Sequence, residues 1–241
     1  MVRFAAAFAV AMFATLSVAA PARADVPKQV YEHGPDAGSF SLEYNGQVGD
    51  GDPFARPHSL EAFAGVSDRL ASGIEIEGEV EEGNLHVVEF ALGTLLGLTD
   101  AEAPVALSIL LQVGTNRHGD SPQAQARLIA EHKTSLWTFN GNLIVRRQEG
   151  EEDGSALAFA ATAHRNIAHG IARGVEMSGQ VARVSGFPSG FDAAQYTGPS
   201  LAFELDPERG PEVEIGFKYL HRIDTGNSSR DTLRLVFGME F

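Results

Sequence analysis

The 241-residue chain has no cysteine. That absence excludes a disulfide framework, a thiol nucleophile, an iron–sulfur cluster and any cysteine-based zinc site. Basic residues are scarce: 18 Lys and Arg stand against 32 Asp and Glu, a formal net charge of −14. Such a balance excludes an ordinary nucleic-acid binder, because neutralising phosphates requires clustered Lys and Arg. Of only four methionines, Met1 and Met12 fall near the N-terminus, so no Met/His copper tract is available. HExxH, phosphate-loop and dinucleotide fingerprints are also missing, and we expect no cofactor and no metal. Beyond residue 24, no stretch offers about 18 uninterrupted apolar residues. The nearest, Phe90–Val113, is broken by Thr99, Asp100, Glu102 and Pro104. A spanning helix in that region is therefore not expected.

What is present begins with an export leader. Met1–Arg3 is a short positive start, Phe4–Ala20 an apolar run, and Ala22-Arg23-Ala24 a small-residue cleavage site before Asp25. Cleavage removes Arg3 and Arg23 and no acid, so the mature side-chain charge becomes 16 − 32 = −16. The expected organisation is a cleaved signal peptide over 1–24, a short periplasmic segment over 25–37, and a single folded unit over 38–241. A hydrophobic content of 44% and a mean hydropathy of −0.08 argue against wholesale disorder. They fit a soluble domain and a membrane β-barrel equally well, since a barrel shows lipid only every other side chain.

Along 38–241 the dominant period is two. Phe40, Leu42, Tyr44 and Val48 alternate with Ser41, Glu43, Asn45 and Gln47. Ile74, Ile76 and Val80 alternate with Glu75, Glu77 and Glu79; Val213, Ile215, Phe217 and Tyr219 with Glu212, Glu214 and Lys218. Strand side chains alternate faces, so these stretches are amphipathic strands. Equivalent segments follow at Val105–Val113, Trp137–Val145 and Leu157–Ala163. Weaker ones lie at His58–Val66, Asn84–Leu96, Gln123–Lys133, Ile171–Val184 and Gln195–Leu205, and Asp231–Phe241 closes the chain. The expectation is twelve strands of roughly 9 to 14 residues, against about 9–11 for a tilted membrane strand. Their connections alternate between tight turns such as Ser67-Asp68 and Lys133-Thr134 and longer polar loops such as Gly49–Pro57 and Ser185–Ala194. Outer-membrane barrels have that asymmetry, with short periplasmic turns and longer external loops.

The polar parity is too charged for ordinary packing, which places the apolar face outward. The last strand, Leu233-Arg234-Leu235-Val236-Phe237-Gly238-Met239-Glu240-Phe241, puts Leu233, Leu235, Phe237, Met239 and Phe241 on one parity and stops at Phe. This resembles the C-terminal signal of bacterial outer-membrane barrels. The resemblance implies that these five residues are read by the barrel-insertion machinery and that the protein resides in the outer membrane, against lipid and lipopolysaccharide. The fold expected is all-β, a twelve-stranded antiparallel transmembrane barrel. Gly65-Val66-Ser67-Asp68-Arg69-Leu70, followed by Gly73-Ile74-Glu75, further resembles a tight-turn hairpin of the outer-membrane transporter family of the MetA pathway of phenol degradation. That family implies uptake of small, often hydrophobic compounds.

On this frame the candidate lumen residues are Glu43, Glu75, Glu77, Glu79, Glu212 and Glu214, with Arg127, Arg146, Lys218 and Arg234 as the cations that pair them. Barrel closure should bring Glu43 beside Arg234 or Glu240. Two readings follow: a charge-lined passage for small solutes, biased toward cations, or a non-conducting structural or adhesion barrel plugged by its own ion pairs. A lipid-modifying enzyme is a third. His58 and His86 fall on the apolar parity near the outer rim, and His164 on the lumen parity near the periplasmic end. No spacing forces a serine beside either rim histidine, and acyl transfer needs nucleophile and base in hydrogen-bond reach. The expectation is a non-enzyme. The acidic run Gln148–Asp153 and the aromatic run Gly186–Phe191 are expected on outer loops.

Overall fold

A computed structural model describes residues 37–241 apart from 50–56, 82–83, 117–118, 120–121, 149–153, 186–194, 206, 208–209 and 224–230. The proposed leader, Glu149–Asp153 of the acidic run and the aromatic Gly186–Phe191 lie outside the described residues. Twelve strands follow one another: β1 (Phe40–Gly49), β2 (Pro57–Ser67), β3 (Leu70–Glu81), β4 (Asn84–Gly97), β5 (Ala106–Asn116), β6 (Pro122–Lys133), β7 (Trp137–Gln148), β8 (Gly154–Ala168), β9 (Ile171–Ser185), β10 (Gln195–Leu205), β11 (Glu212–Arg222) and β12 (Asp231–Glu240). Each pairs antiparallel with its neighbours in sequence, and β1 pairs with β12 to close the barrel. Closure leaves no unpaired edge. Phe40 and Phe241 seal the seam: each backbone N–H donates to the other's carbonyl, and the rings lie 6.3 Å apart.

The two ends differ as the sequence suggests. Both termini of the barrel and the turns at Asp68-Arg69, 98–105, Thr134–Leu136 and His169-Gly170 share one end, called here the turn end. The Thr134 hydroxyl accepts the Trp137 N–H at 2.9 Å, and its own N–H donates to the Trp137 carbonyl, which locks that reversal. At the β8–β9 connection, β8 runs on through Asn166 and Ile167 to Ala168, so these residues do not form the turn. Gly170, at φ +65, makes the reversal instead, and a Cβ there would sit 2.2 Å from the Glu204 carbonyl that packs over it. β8 and β9 are accordingly the longest strands, at 15 residues each.

Burial is inverted relative to a soluble protein. Leu233 is 59% exposed beside Arg234 at 2%, and Val175 is 56% exposed beside Glu176 at 0%. Leaving large apolar side chains in water forfeits about 1.5–3 kcal/mol each, a loss that lipid contact removes. The inner face also holds apolar residues. Phe63, Ala71, Leu95, Leu110 and Ile129 form one buried cluster inside the wall of β2–β6, and Tyr196 and Leu220 form another on β10–β11.

Candidate functional site

The lumen has two unlike walls. On β2–β7 the inner face is acidic and amide-rich. Glu75, Glu77 and Glu79 climb β3, with Glu61 of β2 opposite Glu75 and Glu89 of β4 opposite Glu77. Gln112 donates to Glu75 at 2.6 Å, and Gln125 donates to Gln112 at 2.6 Å. Arg146 pairs with Glu89, at 3.5 Å, and also donates to Gln123. Arg127, 3% exposed, donates to Asn142 at 3.3 Å. Glu61 and Glu89 were not among the sequence candidates, although both lie on the inward parity.

The opposite wall is built on an ion triad. Glu176 of β9 is fully buried and holds Arg234 of β12 and Lys218 of β11, each at 2.7 Å. Lys218 and Arg234 stand directly opposite one another in the β11–β12 register. Like charges in that position repel, and the carboxylate of Glu176 between them is what makes the pair tenable. Gly198 lies opposite Glu176, and a Cβ there would sit 1.8 Å from the Tyr219 carbonyl of β11. Glu43 departs from expectation. Its register partners are Gly238 and Glu61, whereas Arg234 lies opposite Gln47, so Glu43 is bonded by Asn45 at 2.8 Å instead.

Glu212 and Glu214 line a vestibule of about 630 Å3 at the turn end, together with Glu204, Lys133, Thr138, His164 and Asn166. Behind it lies a space of about 40 Å3 bounded by Glu43, Ser200, His164, Glu214 and Lys218. There His164 Nε2 and the Ser200 hydroxyl are 2.7 Å apart. Beyond this point the lumen is narrow: every strand contributes at least one inner-face residue that solvent barely reaches. Among the described inner-face residues carboxylates outnumber cations, with Glu43, Glu61, Glu75, Glu77, Glu79, Glu89, Glu131, Glu176, Glu204, Glu212, Glu214 and Glu240 against Arg127, Lys133, Arg146, Lys218, Arg222 and Arg234.

The rim histidines separate. His58 faces outward, its Nδ1 2.6 Å from the Tyr44 hydroxyl, with the two rings stacked. His86 does not share that face. The β3–β4 register shifts between Glu77 and Gly78, so Val88 is an extra residue and His86 comes to lie opposite Glu79 on the inner side. The Ser–His contact lies instead deep in the lumen, between His164 and Ser200. Among the described residues no group of three or more His, Asp or Glu could hold a metal ion. Leu233, Leu235, Phe237 and Met239 lie on the outward parity of β12, and Phe241, just after its end, is exposed.

No protein-family model and no curated relative matches the chain, so the likeness to the MetA-pathway family gains no support there. Solved structures do match. An outer-membrane channel from Pseudomonas putida F1 aligns with a TM-score of 0.60 at 11% identity, over 90% of this chain and 100% of that one. The NanC porin aligns at 0.58 and 10%, over 84% and 98%. The KdgM porin in complex with disordered oligogalacturonate aligns at 0.54 and 10%, over 83% and 98%. The chain thus has the closed twelve-stranded fold of outer-membrane channels.

Proposed function

We propose that this barrel resides in a bacterial outer membrane, after export on residues 1–24, and passes small solutes through a narrow, acid-rich lumen that favours cations. The observation that carries the reading is the carboxylate excess on the inner face beneath an apolar exterior. Fixed charge of one sign in a pore raises the local concentration of the opposite ion. Leu233, Leu235, Phe237, Met239 and Phe241 form the insertion signal, and the external loops meet lipopolysaccharide. The inner cluster of Phe63, Leu95, Leu110 and Ile129 supports a solute with an apolar part, in line with the MetA-pathway resemblance. Oligogalacturonate, which accompanies the KdgM porin, is a polyanion, and the acidic lumen argues against that class here. We assign no catalytic residue.

The second reading is a closed structural barrel. The buried Glu176–Arg234–Lys218 triad favours it, because these three inner-face charges pair with one another away from solvent. Planar-bilayer recording of the refolded protein separates the two. Discrete openings whose reversal potential shifts toward the cation equilibrium are expected, and a silent bilayer would sink the channel reading. Heat-modifiable gel mobility and recovery with outer membranes test the shared premise.

A further inference from the structure

The geometry points to a binding site for an anionic phospholipid headgroup on the outer face of β7–β9, at the turn end. This rests on the reading that the outer wall faces lipid. The register sets Trp137 opposite Arg165 and Arg165 opposite Arg173, so three adjacent strands present one row. All three residues are exposed and share the outward parity with Phe139, Ala163 and Val175. The Arg165 guanidinium lies 6.0 Å from the Trp137 ring centroid, and that ring stacks on Phe139 at 5.8 Å. Aromatic residues of this kind mark the headgroup level of a membrane protein.

The two arginines are a like-charge pair directly across a strand boundary, which is unfavourable by itself. The same arrangement recurs inside the lumen at Lys218 and Arg234, where the chain supplies Glu176 between them. Outside, among the described residues, neither Arg165 nor Arg173 has an ion pair or a hydrogen-bonded side chain. The missing anion therefore comes from elsewhere. At the boundary of a bilayer the available anion is a lipid phosphate, whose oxygens match the planar donors of guanidinium. Val175, 56% exposed and two residues further into the wall, offers the acyl chain an apolar surface. The chain as a whole carries −14. Any preference for an anionic lipid therefore runs against the global charge and is attributable to this patch.

Trp137 is the only tryptophan in the chain, so it reports on this row directly. The barrel is reconstituted in vesicles containing phosphatidylglycerol or phosphatidylcholine with brominated acyl chains, and quenching of Trp137 gives the relative affinity of the two lipids. A preference of about fivefold for phosphatidylglycerol is expected, from the known contribution of an arginine near an anionic surface. Arg173→Gln, which does not touch the indole, should bring the ratio close to one, and Arg173→Lys should keep most of it. A wild-type ratio of one, or a preference unchanged in Arg173→Gln, overturns the site. If no brominated lipid quenches Trp137 at all, the membrane reading of the outer wall fails instead, which separates the two failures. The wild-type ratio decides the matter even if Arg173→Gln does not fold.

Discussion

Glu176 is the residue on which the inner wall depends most. Its carboxylate is out of solvent and answers two cations. Removing one partner from a buried ion pair typically costs about 3–5 kcal/mol, because the other charges remain desolvated. Glu176→Gln should therefore lower the unfolding free energy of the folded barrel by that order, seen as a lower urea midpoint. Combining it with Arg234→Met should restore much of the loss, as read from the heat-modifiable band across a urea series. A loss within a few tenths of a kcal/mol would mean the triad is wetter than its burial indicates. In the sequence Glu176 is one more acid on the inward parity. Nothing local distinguishes it, because its Arg234 partner lies 58 positions away and only the closed register brings them together. The same holds for His164 and Ser200, 36 positions apart. By contrast, the outward placement of Leu233 and Leu235 was legible directly, since it requires only alternation.

Within single strands, alternation predicts faces correctly until a strand carries an extra residue. β4 does so at Val88, and that one insertion turns His86 from the lipid side to the lumen. Because the chain has no cysteine, single substitutions give a clean readout. His86→Cys should react with a water-soluble maleimide in the reconstituted barrel, while Val87→Cys should be protected. The reverse pattern would show that β4 runs without the bulge. The inner apolar cluster was legible in principle through a different signal. Leu95-Leu96, Leu110-Leu111 and Leu128-Ile129 are adjacent apolar pairs, which strict alternation forbids, and in each pair one member faces in and the other out. The closing strand offers a test of depth. Leu235→Arg places a charge on the lipid face near mid-strand and should cost about 2–4 kcal/mol, against about 0–1 for Val48→Arg near the rim. Equal costs in a lipid-vesicle unfolding titration would contradict a membrane-spanning β12.

For the whole molecule the deciding quantity is where the net charge sits. Among the described residues, Glu61, Glu75, Glu77, Glu79 and Glu89 crowd one inner wall, where Arg146 pairs with Glu89. Charges facing a water-filled lumen are screened by the salt within it, over about 10 Å at 0.1 M and about 3 Å at 1 M. Successive ladder glutamates on β3 lie about 7 Å apart, within the first length and beyond the second. Cation preference should therefore be pronounced at 0.1 M salt and largely gone at 1 M. Fixed selection by pore width alone would persist at both. Glu75, Glu77 and Glu79 carry most of the exposed part of that field, whereas Glu176 is already neutralised by its two cations. Replacing the three ladder glutamates with glutamine should abolish the reversal potential at 0.1 M while leaving the conductance at 1 M within about twofold, as the lumen width is unchanged. A reversal potential that survives the triple change would move the seat of selectivity to the vestibule acids Glu212 and Glu214, at the turn end.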